Sequence, residues 1–296
     1  MSRTILVTGA EGFIGSNFTV QAEEKNFNVI ELNWNKIVWN PIEYKKKLYE
    51  KISQKDIELV VHFGAIASTK FLDTENLIGC NVQSVQIIVD FCVSRNIPLI
   101  FTSSSAVYGN QQGYKSLYAE TKIKGESIIN DTPALRFVIL RLFNTYGFNE
   151  IKKGEMKSVI SDMIISGLQT KKINIWKFTD LALGFQARDF IHVFDVNRII
   201  FELILRSIYP NQTYDLGTGY PHKFIDLATI IGSLGDNVLI KGIKPPEDYM
   251  KNYYQRYTCA DMTWLKSYNI SKNPLEPIKI IPQLNKQYKE FLRIND

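Results

Sequence analysis

A tyrosine and a lysine spaced four residues apart carry the clearest sign of chemistry in this sequence. Tyr118 and Lys122 occupy positions i and i+4 of a predicted helix, and residues at that spacing share one helical face. A neighbouring ammonium favours the phenolate, so Tyr118 could exchange a proton with a substrate hydroxyl. Ser104 stands at the end of a predicted strand, where its hydroxyl would orient the same oxygen. The alternative is a surface pair on an amphipathic helix, which explains most isolated Tyr-x-x-x-Lys matches.

A glycine motif near the N-terminus predicts a site for a dinucleotide. Residues 5–17 read ILVTGAEGFIGSN, so Gly9, Gly12 and Gly15 follow an apolar strand and open a helix. The first glycine allows a tight turn, the second lets the backbone approach a pyrophosphate, and the third permits close packing of helix on strand. The N-terminus of the helix favours the anion.

The end of the second strand leaves the choice between NAD and NADP open. An acidic residue usually stands there and holds the adenosine ribose. In this chain the position is Asn33, and Lys36 lies close by. An amide can bind a ribose hydroxyl, but it does not repel a 2′-phosphate.

These residues need a framework, which an alternation of short apolar and longer amphipathic segments supplies. Strands are predicted at Thr4–Thr8, Asn28–Leu32, Leu59–Phe63, Pro98–Ser103 and Phe137–Leu142. Helices are predicted at Phe13–Lys25, Ile42–Ile52, Leu77–Ser94, Leu117–Ile129 and around Ser158–Gly167. The alternation predicts an α/β fold, a Rossmann-type doubly wound parallel sheet with helices on both faces.

The pattern also predicts two lobes. Residues 1–145, with about 189–216, form the expected NAD(P)-binding Rossmann domain. Residues 146–188 and 217–296 form a smaller α+β substrate-binding lobe. Since no Gly/Ser-rich linker separates the lobes, we expect them to pack together and leave a cleft.

The composition argues against several classes of protein. Of the 296 residues, 45% are hydrophobic and 22% charged, as in a soluble globular chain rather than a disordered or fibrous one. The apolar runs are short and the N-terminus lacks a signal-peptide pattern, so we expect a cytoplasmic protein without a membrane partner. The net charge of +5 comes without a nucleic-acid-binding motif. Because Cys80, Cys92 and Cys259 form no CxxC pair, we expect neither a disulfide framework nor a metal site.

Taken together, the glycine motif, the Ser104 strand end and the Tyr118–Lys122 pair resemble the extended short-chain dehydrogenase/reductase family of nucleotide-sugar epimerases and dehydratases. Further runs are most similar to one subfamily, the ADP-L-glycero-D-manno-heptose 6-epimerases. These runs are His62–Thr69 with Asn81, Phe143–Gly147, Lys153-Gly154 with Met156, Arg188–Val196, Asp215–Gly219 and the segment from Tyr254 to Asp261. The resemblance covers nearly the whole chain and implies an enzyme with a tightly bound NAD or NADP.

The resemblance assigns roles to the residues at matching positions. It implies a catalytic set of Ser104, Tyr118, Lys122 and Lys153. It implies cofactor contacts from Gly9, Gly12, Phe13, Ile14, Gly15, Asn33, Gly64, Ala65, Asn81, Ser103, Tyr118 and Lys122. It implies substrate contacts from Ser68, Thr69, Ser104, Asn144, Lys153, Arg188 and Tyr254.

The implied reaction is epimerisation of a nucleoside-diphosphate heptose, a precursor of surface polysaccharide, through a transient ketone. The ketone presents its oxygen in two poses, so Lys153 would act as acid/base opposite Tyr118. A solvated lysine in a charged loop is the other interpretation of Lys153. A net dehydrogenase that yields a ketosugar and a non-catalytic NAD(P)-binding protein are the other hypotheses. Dehydration is disfavoured because Ser105 and Ala106 replace the Asp-Glu pair of dehydratases.

The chain departs from the heptose epimerases beside the predicted sugar site. The loop between Tyr108 and Tyr118 is shorter, and Phe148 replaces the usual proline. Asn149 and Lys152 stand where that subfamily has arginine and histidine. Because loops beside a cleft set specificity, the prediction of the cofactor rests on more residues than the prediction of the sugar.

The resemblance also implies partners. A nucleoside-diphosphate sugar is the expected substrate. Relatives commonly pair through two helices, here predicted at Leu77–Ser94 and Leu117–Ile129, so we expect a homodimer or a higher homo-oligomer.

Overall fold

The structure is a computed structural model, and it describes residues 3–34, 39–52, 56–67, 73–111, 116–246, 254–270 and 273–294. The chain divides into two compact units. The first comprises Met1–Leu142 and Asn197–Tyr214, and the second comprises Phe143–Val196 and Asp215–Asp296. Residues 189–196, which the sequence analysis places in the first domain, fall in the second unit. The reason is that the strand ending at Asp189 pairs with Pro221–Lys223, which also belongs to the second unit.

A six-stranded sheet, counted among the described residues, organises the first unit. Its strands are β1 (Thr4–Thr8), β2 (Asn28–Leu32), β3 (Leu59–His62), β4 (Leu99–Ser104), β5 (Phe137–Leu142) and β8 (Gln212–Leu216). They lie in the order β2-β1-β3-β4-β5-β8. Strand β1 pairs in parallel with β2 and β3, and β4 pairs in parallel with β3 and β5. The predicted doubly wound parallel sheet is confirmed.

The central strands form because their residues are apolar on both faces. Leu6 on β1, Val60 on β3 and Phe101 on β4 are fully buried. A parallel sheet covered by helices on both faces selects such continuous runs of apolar residues rather than alternating ones.

Helices cover this sheet. They are α1 (Phe13–Glu24), α2 (Pro41–Ile52), α3 (Thr74–Ile78), α4 (Ser84–Arg95), α5 (Val107–Gln111) and α6 (Leu117–Asn130). On α2 the buried residues are Tyr44, Leu48 and Ile52, spaced four apart, so they form one apolar stripe. This stripe joins the apolar core around β1, β3 and β4.

The predicted helix Leu77–Ser94 has an interruption that the sequence does not show. Residues Gly79–Gln83 adopt π-helical hydrogen bonding between α3 and α4. The whole stretch Thr74–Arg95 is long and apolar enough to cross a membrane, but just over half of its most apolar window is buried inside the protein. That burial is typical of a core helix.

The second unit has its own sheets and core. Its elements are a 3₁₀ turn (Glu150–Met156), α7 (Val159–Thr170), β6 (Lys172–Trp176), β7 (Ala187–Asp189), β9 (Pro221–Lys223), α9 (Phe224–Ser233), β10 (Leu239–Ile243) and the helices Trp264–Ser267 and Pro277–Phe291. Helix α8 (Val193–Leu205) begins in this unit, and its larger part, from Asn197 on, belongs to the first unit. Strands β6 and β10 pair in parallel, and β7 and β9 pair antiparallel. Helix α8 and strand β8 continue across the unit boundaries.

Phe148, one of the predicted departures from the heptose epimerases, contributes to this second core. Its ring lies 5.6 Å from that of Tyr288 and 5.9 Å from that of Phe291, both on the C-terminal helix. The aromatic side chain therefore packs where a proline would supply little apolar surface.

Candidate functional site

The glycine motif forms a cradle in which no side chain could fit. Gly9 has φ +67°, a left-handed conformation that glycine adopts without strain. A Cβ on Gly15 would come within 2.2 Å of the Gly9 carbonyl oxygen. Helix α1 begins at Phe13, and Gly12 caps it without a side chain over its N–H groups. The first-turn N–H groups of a helix lack intrahelical acceptors and favour an anion, which fits a pyrophosphate.

A cavity opens beside this cradle. Its lining is Thr8, Gly9, Glu11, Gly12, Leu32, Asn33, Trp34, Trp39, Tyr44, His62, Phe63, Gly64, Ala65, Cys80 and Ser84. Five predicted cofactor residues, Gly9, Gly12, Asn33, Gly64 and Ala65, are thus brought together around one space. The mixture of aromatic and polar groups in its lining suits the adenosine half of a dinucleotide.

We expect Gly15→Ala to weaken the binding of NAD(P) and to cost about 1–3 kcal/mol of folding stability. The added methyl meets backbone atoms, so no side-chain rotation can relieve the clash. Calorimetric titration with NAD⁺ and NADP⁺, together with thermal unfolding, measures both effects. Gly167→Ala, within α7, is the matched control, because a Cβ at that position would lie only at ordinary van der Waals distances from its neighbours. Unchanged cofactor affinity in the Gly15 variant would contradict the assignment of this cradle.

Asn33 is held by two polar neighbours at the end of β2. Its Oδ1 accepts from the Glu11 backbone N–H at 3.2 Å, and its Nδ2 donates to Glu31 Oε2 at 3.1 Å. Glu31 and Asn33 are two residues apart along an extended chain, so their side chains point to the same face. A carboxylate therefore does stand near the predicted ribose position. Lys36, the other residue weighed for this choice, lies outside the described residues.

Three residues of the predicted catalytic set, Ser104, Tyr118 and Lys122, lie in the first unit on β4 and α6. Ser116 caps α6 by accepting from the Ala119 N–H at 3.4 Å, and the helix carries Tyr118 in its first turn. The Ser104 hydroxyl, at the end of β4, lies near the Tyr118 phenol. Burial raises the pKa of Tyr118, and the interaction with the Ser104 hydroxyl opposes that rise.

Lys122 lies one turn further along α6 and is only 3% exposed. Its Nζ donates to the Thr102 carbonyl at 2.9 Å and lies 4.8 Å from the centre of the Phe101 ring. Burial lowers the pKa of Lys122 to about 8, while the nearby Glu126 carboxylate raises it. Lys122 therefore stays mostly charged at pH 7, and it loses its proton mainly above pH 8. Burial of His62 and, secondarily, the charge of Lys122 lower the pKa of His62 to about 3, so that imidazole is neutral.

Two other predicted cofactor residues, Asn81 and Ser103, make hydrogen bonds to other residues of the protein. Asn81, in the π-helical turn, accepts from the Ile66 N–H at 2.8 Å and donates to Thr121 Oγ1 at 3.0 Å. It thereby joins α6 to the segment after β3. Ser103 donates to Glu126 Oε1 at 2.5 Å. Sequence reasoning missed Glu126, although its position four residues after Lys122 was a visible signal.

Lys153 belongs to the second unit and is paired with a buried acid. Its Nζ lies 3.1 Å from Glu150 Oε1. Glu150 is fully buried and also accepts from the Ser158 N–H, the Ser158 hydroxyl and the Ser161 hydroxyl, each at 2.7 Å. The loop that carries Lys153 is therefore anchored by one carboxylate, which sequence reasoning also missed.

The remaining predicted substrate residues of the second unit cluster around β7. Arg188 donates through Nε and a terminal nitrogen to the Gln255 carbonyl, at 3.2 and 2.8 Å, and lies 4.7 Å from the centre of the Tyr254 ring. Asn144 donates to the Asp189 carbonyl at 2.6 Å. Ser68 and Thr69 lie outside the described residues.

Asp189, next to Arg188 on β7, binds groups of two neighbouring loops. Its carboxylate accepts from the Thr218 N–H and hydroxyl and from the N–H groups of Gly219 and Ala260, at 2.6 to 3.0 Å. Successive side chains on a strand point to opposite faces, so Asp189 binds these loops while Arg188 reaches the Tyr254 ring.

Comparison with known proteins now bears on the assignment. Residues 5–217 match the family described as "NAD dependent epimerase/dehydratase family". The chain belongs to this family. It is therefore an NAD(P)-dependent enzyme of that family, and the resemblance inferred from the motifs is confirmed.

Individual relatives point the same way. The chain is 27% identical to ADP-L-glycero-D-manno-heptose-6-epimerase of Fusobacterium nucleatum, over 90% of this chain and 92% of that protein. It superposes on the crystal structure of the Helicobacter pylori protein of that name with a TM-score of 0.80 at 19% identity, over 99% and 97% of the two chains. It superposes similarly on dTDP-glucose 4,6-dehydratase from Bacillus anthracis in complex with NAD, with a TM-score of 0.78, 18% identity and coverage of 98% and 97%. Likenesses this distant show a fold shared by epimerases and dehydratases.

Proposed function

We propose that this protein is a nucleotide-sugar epimerase that works by transient oxidation and acts on a nucleoside-diphosphate heptose in the cytoplasm. The observation that carries the proposal is the placement of the Ser104 hydroxyl near the Tyr118 phenol, with Lys122 one turn away on α6, in the same unit as the glycine cradle. The similarity to proteins named heptose 6-epimerase supports the sugar. The absence of a carboxylic acid at Ser105 and Ala106 argues against dehydration.

The residues of the chain account for the proton steps. When NAD(P) is bound in the cradle, its nicotinamide ring supplies the acceptor and donor of a hydride. Tyr118 takes the proton of the sugar hydroxyl, Ser104 holds the same oxygen, and the Lys122 ammonium favours the phenolate. Lys153 gives a proton to the ketone oxygen after the sugar has turned, so that the carbon returns with inverted configuration. The net redox change is zero.

The test is incubation with ADP- and GDP-linked D-glycero-D-manno-heptose in deuterium oxide, followed by NMR of the sugar and absorbance of the nicotinamide. We expect an inverted C6 centre that keeps its own hydrogen, with no accumulation of reduced cofactor. Deuterium at the inverted carbon would contradict a direct hydride return. Binding of cofactor with no turnover of either sugar would support the non-catalytic hypothesis instead.

A net dehydrogenase is the second candidate, and the pairing of Lys153 with Glu150 favours it. An ammonium held at 3.1 Å from a fully buried carboxylate can serve to anchor a loop rather than to move a proton. A dehydrogenase would release a ketosugar and accumulate reduced cofactor in the same experiment. The absorbance spectrum of the nicotinamide therefore distinguishes the two candidates, because only the dehydrogenase accumulates reduced cofactor.

A further inference from the structure

Glu126 is a buried acid that the proposed mechanism does not use. Its side chain is 7% exposed, and it lies four residues after Lys122, on the same face of α6. Its Oε1 accepts from the Ser103 hydroxyl at 2.5 Å and from Arg141 Nε at 3.0 Å, and its Oε2 accepts from an Arg141 terminal nitrogen at 2.6 Å. Both carboxylate oxygens are therefore engaged.

Arg141 extends this network to the segment after the catalytic strand. It is paired in register with Ser103 across β4 and β5, so both side chains approach α6 from neighbouring positions. Its other terminal nitrogen donates to the Tyr108 hydroxyl at 3.0 Å, and its guanidinium carbon lies 4.9 Å from the centre of that ring. One carboxylate and one guanidinium thus join β4, β5, α5 and α6.

We propose that Glu126 and Arg141 form a positioning pair for Lys122, in which the anion keeps the buried lysine charged and the cation limits that effect. The proposal rests on the catalytic role of Lys122 proposed above, but its test needs no sugar nucleotide. A buried ion pair contributes little to folding stability compared with apolar residues of the same volume, so stability alone does not explain it. The position of the pair, one helical turn from Lys122, accounts for its presence.

The charges around Lys122 set the direction of the effect. From β3 it interacts with His62, which burial keeps neutral; from β4 it contacts the Phe101 ring and the Thr102 carbonyl; and from α6 it interacts with Glu126. Among these described groups, Glu126 is the carboxylate. Arg141 in turn has its pKa raised by Glu126, so it remains a cation throughout.

Two variants should act in opposite directions. Glu126→Gln removes the anion and leaves Arg141 positive, so the midpoint of the Lys122 titration falls by about 1 pH unit. Arg141→Gln frees the carboxylate to act on Lys122, so the midpoint rises. From a starting value of about 8, the first change lowers the charged fraction at pH 8 about fivefold. NADH affinity at that pH should fall to a similar extent.

The experiment uses the whole chain labelled with ¹³C at lysine Cε and titrated by NMR from pH 6 to 10. Loss of one resonance in Lys122→Met assigns the signal. NADH binding is measured by fluorescence across the same range, and circular dichroism establishes that each variant is folded. Asp131→Asn is the matched control, because it removes one negative charge at the exposed end of α6 and should not move the midpoint.

Opposite shifts for the two variants support the proposal. Shifts in the same direction, or no shift in a folded variant, overturn it, because a purely structural network would not change sign with the charge removed. If one variant does not fold, the sign obtained from the other decides. Absence of epimerase activity in the unmodified protein would count against the proposed function and leave this titration interpretable.

Discussion

Tyr118→Phe is expected to lose about 10²–10⁴-fold in turnover while binding NAD(P) as the unmodified protein does. The substitution keeps the buried ring and removes only the hydroxyl that lies near Ser104. Steady-state kinetics by sugar NMR and calorimetric titration of the cofactor separate the two quantities. A large fall in turnover with unchanged affinity identifies the phenol as the group that moves the proton.

Tyr49→Phe is the matched control for this experiment. Tyr49 is an exposed residue of α2, so losing its hydroxyl should leave turnover and folding stability unchanged. If Tyr118→Phe instead retained most of its turnover, the Ser104–Tyr118 contact would be structural. The interpretation of Tyr118 and Lys122 as an ordinary helical pair would then be correct.

Lys153→Met is expected to separate the two halves of the reaction. Oxidation of the sugar should continue, because it depends on Tyr118, whereas return of the hydride with inversion should fall about 10²-fold or more. The prediction is measured as a ketosugar and reduced cofactor that accumulate in a single turnover. Methionine keeps most of the length of the side chain but cannot carry a proton.

The same loop offers a control lysine. Lys157 donates to the Gly154 carbonyl at 2.7 Å and approaches Asp162, and its replacement by methionine should leave the ratio of the two half-reactions unchanged. An equal fall of both half-reactions in Lys153→Met would show that this lysine anchors the loop through Glu150. That result would favour binding over proton transfer.

The sequence predicted the frame of the first unit well because periodicity reports burial directly. Strands β1, β2 and β5 have the bounds that their apolar runs predict. Because short apolar segments alternate with longer amphipathic ones, few other positions remain at which each strand could begin and end. The π-helical turn Gly79–Gln83 was missed. A single turn with i→i+5 hydrogen bonds changes the spacing of the apolar residues too little to be recognised in one sequence.

The site was predictable where its residues lie close in sequence and not where strands bring them together. Tyr118 and Lys122 share a helix, so their spacing alone indicated a common face. Glu126 was not predicted as part of the site because its partners, Ser103 and Arg141, lie 23 and 15 residues away on two strands. Their meeting depends on the register of β4 and β5, which spacing does not specify.

The course of the chain through the two units has a consequence for how the protein is made. Helix α8 and strand β8 each continue through a boundary, and residues 197–214 complete a unit that begins at the N-terminus. A ribosome must therefore have synthesised at least 216 residues before the first sheet can acquire its complete last strand, β8. Co-translational folding of residues 1–142 alone leaves the edge of β5 without its partner. Biosynthesis of this protein thus passes through an interval in which an incomplete sheet needs protection from aggregation.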